Sequence, residues 1–202
     1  MIVAVNPGHS DSDPGAIGPT GLTEAAVTLH VAHALLPRGD DGVRYVGRRQ
    51  KPGRLGRWRL CRSLRSDHPE LVLSLHCDWH DYPKIGCLHE ARIFYREDDP
   101  ETGRRAQSAR LAEAVVARAQ VTPRFAERAV VKTAPYARKT RLGTRQYTPG
   151  ILIDTARLAI VLVEMGFITD PHVEEAMRTT AWVRRAAASL DGAVRDWLCF
   201  AR

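Results

Sequence analysis

Four residues with metal-binding or proton-transferring side chains lie at widely separated points of the chain. His9 follows Pro-Gly, Glu24 follows Gly-Leu-Thr, His76 ends the run Leu-Ser-Leu-His, and Glu164 follows the apolar run 159–163. Two imidazoles and one carboxylate form a three-ligand zinc site that leaves a coordination position for water. A second carboxylate that does not bind the metal is what such a site needs as a general base. The set therefore predicts a hydrolase.

Each of these residues also has a plainer structural explanation when it is considered alone. A histidine after a Pro-Gly turn is more often a surface residue, and Glu24 in a first helical turn would compensate the helix dipole. His76 would be a buried or capping histidine, and Glu164 would form a salt bridge to one of the many arginines. Their joint occurrence, in this order and each at the rim of the predicted sheet, favours the metal site.

The elements that must position these residues alternate between strands and helices. Apolar runs predict strands, and apolar residues at three-and-four spacing predict helices. The strand candidates are 1–5, 43–46, 71–76, 86–95, 151–153 and 159–163, and the helix candidates are 22–36, 54–66, 101–120 and 171–202, the last broken near Thr179 or Thr180. The stretch 123–150 gives no clear assignment. The alternation predicts one α/β layered domain over 1–202 with a largely parallel sheet.

The predicted sheet explains how distant residues could converge. Sites in parallel sheets form beyond the carboxyl ends of the strands, and His9, His76 and Glu164 each stand at or just after such an end. Gly8 permits an unusual backbone conformation that would turn the His9 imidazole back over the sheet edge. Strand alternation puts Asp78 on the same side as His76, where it is a candidate to orient an imidazole. A spare ligand candidate, His80, follows closely.

Composition and charge narrow the function classes further. The chain has 202 residues, 44% of them apolar, and a formal net charge of +7, and only four of its 30 basic residues are lysines. This charge favours approach to nucleic acid, to teichoic or lipid-linked acids or to an anionic cell wall, although a GC-rich coding sequence would equally explain the arginines. No apolar run is long enough to span a bilayer. Four cysteines without a Cys-x-x-Cys pair argue against a zinc ribbon.

Three blocks of the sequence carry a resemblance to a known family. They are VNPGHSDSDPGAIGPTGLTEAAVTLHVAHAL, LVLSLHCD and AIVLVEMGFITDPHVEEAM. They resemble the zinc-dependent N-acetylmuramoyl-L-alanine amidases of the Amidase_3 type, over about 2–177. The resemblance implies a mixed sheet flanked by helices, one Zn²⁺ per chain held by His9, Glu24 and His76, and Glu164 as the catalytic glutamate. The implied reaction is hydrolysis of the amide between N-acetylmuramic acid and L-alanine in peptidoglycan.

The chain departs from the family pattern at a few positions. Asn6 stands where the family usually has Asp, and Asp78 stands where it usually has Asn. Neither change removes a ligand. The substrate contacts are not carried by the three blocks, and Arg138, Arg141 and Arg145 are candidates to bind the carboxylates of the stem peptide.

The sequence shows neither a recognisable secretion signal nor a separate cell-wall-binding domain. An amidase with those properties resembles a bacteriophage endolysin, which would accumulate in the host cytoplasm until a holin opens the membrane. We therefore expect a monomer that acts on peptidoglycan, without a nucleic-acid partner and without a membrane span.

Three alternatives remain open at this point. A bacterial amidase of division or sporulation, trimmed of its signal, would have the same sequence features. A zinc peptidase acting on the stem peptide would use similar ligands, although the Val-Glu-Met-Gly-Phe block disfavours it. A basic nucleic-acid-binding protein would explain the charge but would leave the two histidines and two glutamates unexplained.

Overall fold

The computed structural model describes residues 1–48, 53–80, 90–96, 104–121, 128–134 and 158–201. Within these ranges, one six-stranded sheet is flanked by helices. The strands are β1 Ile2–Pro7, β2 Arg44–Gly47, β3 Leu71–Asp78, β4 Glu90–Arg96, β5 Arg128–Ala134 and β6 Ile160–Phe167. The helices are α1 Glu24–Leu35, α2 Gly53–Asp67, α3 Arg104–Val121, α4 Pro171–Arg178 and α5 Thr180–Ala201, with a short 3-10 helix at Leu36–Arg38.

The order of the strands places the site-bearing strands side by side. The order is β2-β1-β3-β6-β4-β5, and β2, β1, β3 and β6 run parallel to their neighbours in that series. β4 joins β6 in the antiparallel direction, and β5 runs parallel to β4. The predicted α/β fold with a mixed, mostly parallel sheet is thereby confirmed. Because β3 lies between β1 and β6, the carboxyl ends of these three strands form one rim.

Strand alternation divides the core between the two faces of the sheet. The larger cluster contains Val5, Leu73, Val163 and their neighbours, and it is covered by α1, α3 and α5. The smaller cluster lies on the other face, against α2, and consists of Ala4, Leu60, Leu64, Val72, Ile160 and Leu162. By the same alternation, His76 and Glu164 belong to the face that α2 covers.

Most of the elements predicted from the sequence are confirmed, and the differences have physical reasons. β6 continues past Glu164 to Phe167, so Glu164 lies within the strand and not at its end. β5 falls in the stretch without an assignment. Among the described strands it pairs only with β4, and it exposes Val131 and Lys132, which removes the apolar signature of a buried strand. The candidate strand 151–153 lies outside the described residues.

The helical predictions agree with the structure. The break in the last helical stretch lies at Thr179, between α4 and α5. Within the part of the chain that the structure describes, no helix has the length and apolar character needed to cross a bilayer.

Candidate metal centre

His9, Glu24 and His76 converge at the rim formed by β1, β3 and β6. Each offers one ligand atom, and these atoms all lie within 4.8 Å of one another. The Glu24 carboxylate lies between the two imidazoles, with Oε1 2.9 Å from His76 Nδ1 and Oε2 3.2 Å from His9 Nε2. The two rings are nearly perpendicular, with centroids 5.3 Å apart. The structure thus brings together the three residues that the sequence predicts as ligands.

Glu24 is aimed at the site by the way α1 begins. Thr23 caps the helix, and its Oγ1 accepts a hydrogen bond from Ala26 N. The Glu24 carboxylate turns toward the sheet, where Oε1 accepts from Cys77 N at 3.0 Å and Oε2 accepts from Ala16 N at 2.9 Å. The side chain is buried. Compensation of the helix dipole does not require these contacts, whereas a fixed ligand does.

The ionisable groups of this cluster shift the pKa values of their neighbours. Burial raises the pKa of Glu24, but hydrogen bonds from His76 and His9 outweigh burial and lower it to about 2. The hydrogen bond with Glu24 raises the pKa of His9, against the opposing effect of burial. Asp13 Oδ2 lies 3.1 Å from His9 Nδ1 and contributes to the same rise. An ionised carboxylate between two imidazoles, one of them backed by a second carboxylate, is a donor set that suits a divalent cation.

Two glycines leave the space that these side chains occupy. A Cβ at Gly8 would lie 2.5 Å from His76 Cε1, and a Cβ at Gly15 would lie 2.5 Å from Glu24 Oε2. The expectation that Gly8 supplies an unusual backbone conformation is wrong. The residue with a left-handed backbone is His9 itself, at φ 62, and Gly8 is needed for the close approach of the His76 ring.

Glu164 stands beside the cluster as the fourth predicted residue. It is the register partner of His76 in the parallel pair of β3 and β6. Its Oε2 is buried and has no hydrogen-bond partner among the described residues. Burial raises the pKa of Glu164 well above its usual value, the charges of Glu24 and Asp78 raise it further, and Arg92 lowers it. A bound cation would oppose this accumulation of negative charge, so the residues present fit a metal ion.

Asp78 is engaged away from the imidazoles. Its Oδ2 accepts a hydrogen bond from Arg92 Nη1 at 3.0 Å, and its Oδ1 accepts from Trp79 N at 2.9 Å. These contacts fix the chain where it leaves β3. The predicted role of Asp78 in orienting an imidazole stays a prediction.

The other predicted residues do not join the three-residue cluster. His80 is exposed, its backbone N donates to Thr169 Oγ1, and its ring centroid lies 6.4 Å from that of Phe167. Its role as a spare ligand stays a prediction. The candidate substrate residues Arg138, Arg141 and Arg145 lie outside the described residues.

Arg92 is a site residue that nothing in the sequence singles out. It is the register partner of Glu164 across the antiparallel pair of β4 and β6. Its guanidinium hydrogen-bonds Glu90 Oε1 at 2.7 Å and lies 4.5 Å from the centre of the Phe167 ring. Only the position of β4 beside β6 reveals this arrangement, and local periodicity carries no information about strand order.

A buried amide, that of Asn6, lies behind the cluster at a position where the sequence resemblance implies a carboxylate. Asn6 Oδ1 accepts a hydrogen bond from Ser74 Oγ at 3.1 Å, and Asn6 Nδ2 donates to Arg48 O at 2.7 Å and to Pro7 O at 3.3 Å. A carboxylate at this position could not make the bonds that Nδ2 donates. Asn6 is therefore matched to its surroundings in this chain.

The fold and the site together define an α/β protein with a candidate metal centre at the carboxyl ends of three parallel strands. The model of the Amidase_3 family, N-acetylmuramoyl-L-alanine amidase, matches residues 3–196, and the chain belongs to this family. Assignment of the chain as an N-acetylmuramoyl-L-alanine amidase, expected from the sequence blocks, is thereby confirmed.

Solved structures of similar fold cover nearly the whole length of the chain. N-acetylmuramoyl-L-alanine amidase AmiC2 of Nostoc punctiforme aligns with a TM-score of 0.76 and 18% identity over 98% of this chain and 97% of that chain. The catalytic domain of the amidase CwlV from Bacillus (Paenibacillus) polymyxa var. colistinus aligns with a TM-score of 0.74 and 14% identity over 98% of both chains. The catalytic domain of the CD27L endolysin targeting Clostridia difficile aligns with a TM-score of 0.70 and 14% identity over 97% of both chains. No curated protein matches the sequence.

Proposed function

We propose that this amidase is zinc-dependent and hydrolyses the amide between N-acetylmuramic acid and L-alanine in peptidoglycan. In this proposal His9, Glu24 and His76 hold one Zn²⁺, and Glu164 is the general base. The observation that carries the proposal is the convergence of the two imidazoles and the Glu24 carboxylate within 4.8 Å, beside a fourth residue with an unpartnered carboxyl oxygen.

The three ligands are chemically suited to this ion. Zinc binds histidine nitrogen and carboxylate oxygen, and three protein ligands leave a position for the substrate or water. Bound there, zinc would supply a Lewis acid that polarises the lactyl carbonyl and lowers the pKa of a water toward about 7. The low pKa of Glu24 keeps its carboxylate ionised at neutral pH, as a metal ligand must be.

Glu164 would move the proton that the reaction requires. Its carboxylate accepts a proton from the attacking water as oxygen adds to the lactyl carbonyl carbon. The same carboxyl then donates this proton to the nitrogen of L-alanine as the C–N bond breaks. The second proton of the water leaves the new lactyl acid for the released amine, so the products are a lactyl carboxylate and a protonated L-alanine amino group. Placement of Glu164 opposite His76 supports this role, because it keeps the base within the site.

The proposal also extends to where and when the enzyme acts. The enzyme would act as a bacteriophage endolysin, as a monomer that accumulates in the host cytoplasm and reaches peptidoglycan after a holin opens the membrane. The net charge of +7, which favours approach to an anionic wall, supports this setting. Lysis of expressing cells only after their inner membrane is permeabilised would agree with it. Lysis or altered cell separation without permeabilisation would favour a bacterial amidase.

Purified cell walls provide the direct test of the reaction. We expect turbidity to fall with the zinc-loaded protein, to stay constant with a chelator, and to fall again when zinc is restored. Mass analysis of the products should find stem peptides with a free L-alanine amino group. Shortened stem peptides would instead identify a peptidase, and unchanged activity in chelator would contradict the metal assignment.

A further inference from the structure

Outside the metal centre, Glu174 on α4 carries a buried carboxylate with both oxygens engaged. The residue is 1% exposed. Its Oε2 accepts a hydrogen bond from Thr20 N at 2.9 Å, and its Oε1 accepts from Leu22 N at 2.9 Å and from Arg178 Nη2 at 3.1 Å. A buried carboxylate is costly unless it is paired in this way. These contacts offset the cost of burying the charge, and the proposed reaction gives Glu174 no role.

The contacts join α4 to a tight turn formed by residues 18–22. The turn is closed by Gly18 N, which donates to Leu22 O at 2.9 Å, and by Gly21 N, which donates to Gly18 O at 3.0 Å. A Cβ at Gly18 would lie 2.5 Å from Glu174 Cδ, so the carboxylate packs directly on the turn backbone. Arg178 Nη2 also donates to Thr20 Oγ1 at 2.6 Å and to Thr20 O at 3.1 Å.

The contacts of Glu174 and Arg178 with the turn 18–22 form a clamp. The turn belongs to the segment that carries two of the three proposed ligands. It lies between His9 and Glu24, and its last residue is separated from Glu24 only by Thr23. The segment is also tied to Glu24 just before the turn, where Ala16 N donates to Glu24 Oε2 and Glu24 N donates to Ala16 O at 2.8 Å. The turn is therefore connected to Glu24 on both sides, through Thr23 and through Ala16.

The other side of the clamp follows the strand that carries Glu164. β6 ends at Phe167, and α4 begins four residues later, at Pro171, with Asp170 as its cap, whose Oδ1 accepts from His172 N at 2.8 Å. The residues of the clamp therefore connect the ligand segment to the strand that carries the general base.

We infer that Glu174, with Arg178, is a positioning residue of the metal centre, because the contacts of this clamp hold the turn 18–22 against α4 and keep Glu24 in its place between the two imidazoles. The inference rests on the proposed metal site. A segment that is already ordered before the ion arrives loses less conformational freedom on binding, so the clamp raises the affinity for zinc. Outer partners that orient metal ligands typically change metal affinity by about 10- to 100-fold when they are mutated.

Glu174→Gln tests the inference with little change in side-chain size. The amide nitrogen cannot accept a hydrogen bond, so Thr20 N, which donates to both carboxylate oxygens of Glu174, keeps at most one of these acceptors. The substitution also removes the negative charge that pairs with Arg178. We expect the Kd for zinc, measured by competition with a chromophoric chelator, to rise about tenfold or more. The absorption spectrum of the Co²⁺-substituted protein should shift, because the ligand geometry changes. In the metal-free protein, the amides of Thr20 and Leu22 should exchange hydrogen faster than in the wild type.

Gly18→Ala provides a second test that leaves the charges unchanged. The added Cβ would collide with the Glu174 carboxyl, so the turn must move away from α4, and the zinc Kd should rise here too. Gly42→Ala is the matched control, because the nearest described neighbour of its Cβ would be Asp40 Oδ1 at 3.4 Å. If Glu174→Gln fails to fold, Gly18→Ala and Arg178→Lys carry the same measurement.

A control at another hydrogen-bonded carboxylate distinguishes an effect on the position of Glu24 from a general loss of stability. Asp191 on α5 accepts hydrogen bonds from Tyr45 Oη at 2.8 Å and from Arg195 Nε at 3.1 Å, and it belongs to no part of the metal cluster. Asp191→Asn should therefore lower the urea midpoint while the zinc Kd stays within about twofold of the wild type.

The inference is overturned if Glu174→Gln and Gly18→Ala bind zinc as tightly as the wild type and leave the Co²⁺ spectrum unchanged. A wild-type protein that binds no zinc would instead contradict the proposed metal site itself. The two failures are thus distinguished by the wild-type measurement.

Discussion

His76 on β3 and Glu164 on β6 are directly opposed in the register of a parallel strand pair. Their side chains therefore emerge on the same face of the sheet, from two backbones that the hydrogen-bond ladder holds at a fixed spacing of about 4.8 Å. The proposed ligand and the proposed base, on adjacent strands, need no movement of a loop to meet. Sites built on such rigid elements hold their geometry better than sites built on loops.

Glu164→Gln should abolish hydrolysis and leave zinc binding intact. The amide cannot accept the proton from water, and loss of a general base costs about 10²- to 10⁴-fold in rate. Product mass analysis and elemental analysis on the same sample measure the two effects. Glu113→Gln, at an exposed position of α3, is the control. Full activity of Glu164→Gln would remove Glu164 from the mechanism.

His76→Ala should lose the metal. Removal of one of three ligands leaves two, which hold zinc too weakly to survive dialysis. Elemental analysis of the dialysed protein is the measurement, and His30→Ala, at an exposed position of α1, should keep its zinc. A full zinc complement in His76→Ala would refute the ligand assignment.

Gly8→Ala should lower zinc affinity because its Cβ would lie 2.5 Å from the His76 ring and 2.7 Å from Leu75 O. Either the imidazole or the backbone of β3 must move. Gly47→Ala serves as the control, because its nearest neighbour is Leu36 Cδ1 at an ordinary 3.5 Å. Equal zinc affinity in both variants would show that the close approach at Gly8 is not needed.

Asn6→Asp should destabilise the fold, although the family usually has Asp at this position. The new carboxylate oxygen would face Arg48 O and Pro7 O, which now accept from the amide. A buried group left without a partner costs about 1–3 kcal/mol, and more when it is charged. Urea unfolding at neutral pH measures the loss. Gln120→Glu is the control, because Gln120 is exposed on α3 and its amide donates only a long bond, at 3.4 Å, to Ala129 O, where water can replace it. Equal unfolding midpoints for the two variants would contradict the prediction.

The stability that Glu174 contributes should vanish in acid. Burial raises its pKa, but hydrogen bonds from the Leu22 and Thr20 backbone and from Arg178 outweigh burial and hold the pKa below its usual value. The unfolded chain therefore binds the proton first as the pH falls, so this stability is complete above about pH 5 and is lost as the pH falls through the folded pKa.

The measurement is a comparison of urea midpoints between the metal-free wild type and Glu174→Gln across this pH range. The difference should be largest at neutral pH and should shrink in acid, where the protonated carboxyl and the amide are both neutral. A difference that does not depend on pH would contradict the low pKa of Glu174.

The sequence determined the elements and the kinds of side chain that stand at their ends. Apolar runs and three-and-four spacing predict β1, β3, α1 and most other elements, because burial of one face is a local property that the chain shows in its own periodicity. The same periodicity placed His9 and His76 at the ends of strands. It could not find β5, whose edge position leaves Val131 exposed.

Which of these side chains meet depends on how the elements pack in the tertiary structure. The antiparallel entry of β4 beside β6 brings Arg92 to Glu164, and the packing of α4 brings Glu174 to Thr20, a residue 154 positions away in the chain. Strand order, register and helix packing are fixed by contacts between segments that are remote in sequence. Because local periodicity carries no record of those contacts, the left-handed His9, the space at Gly8 and the clamp on the ligand segment become visible only in the folded molecule.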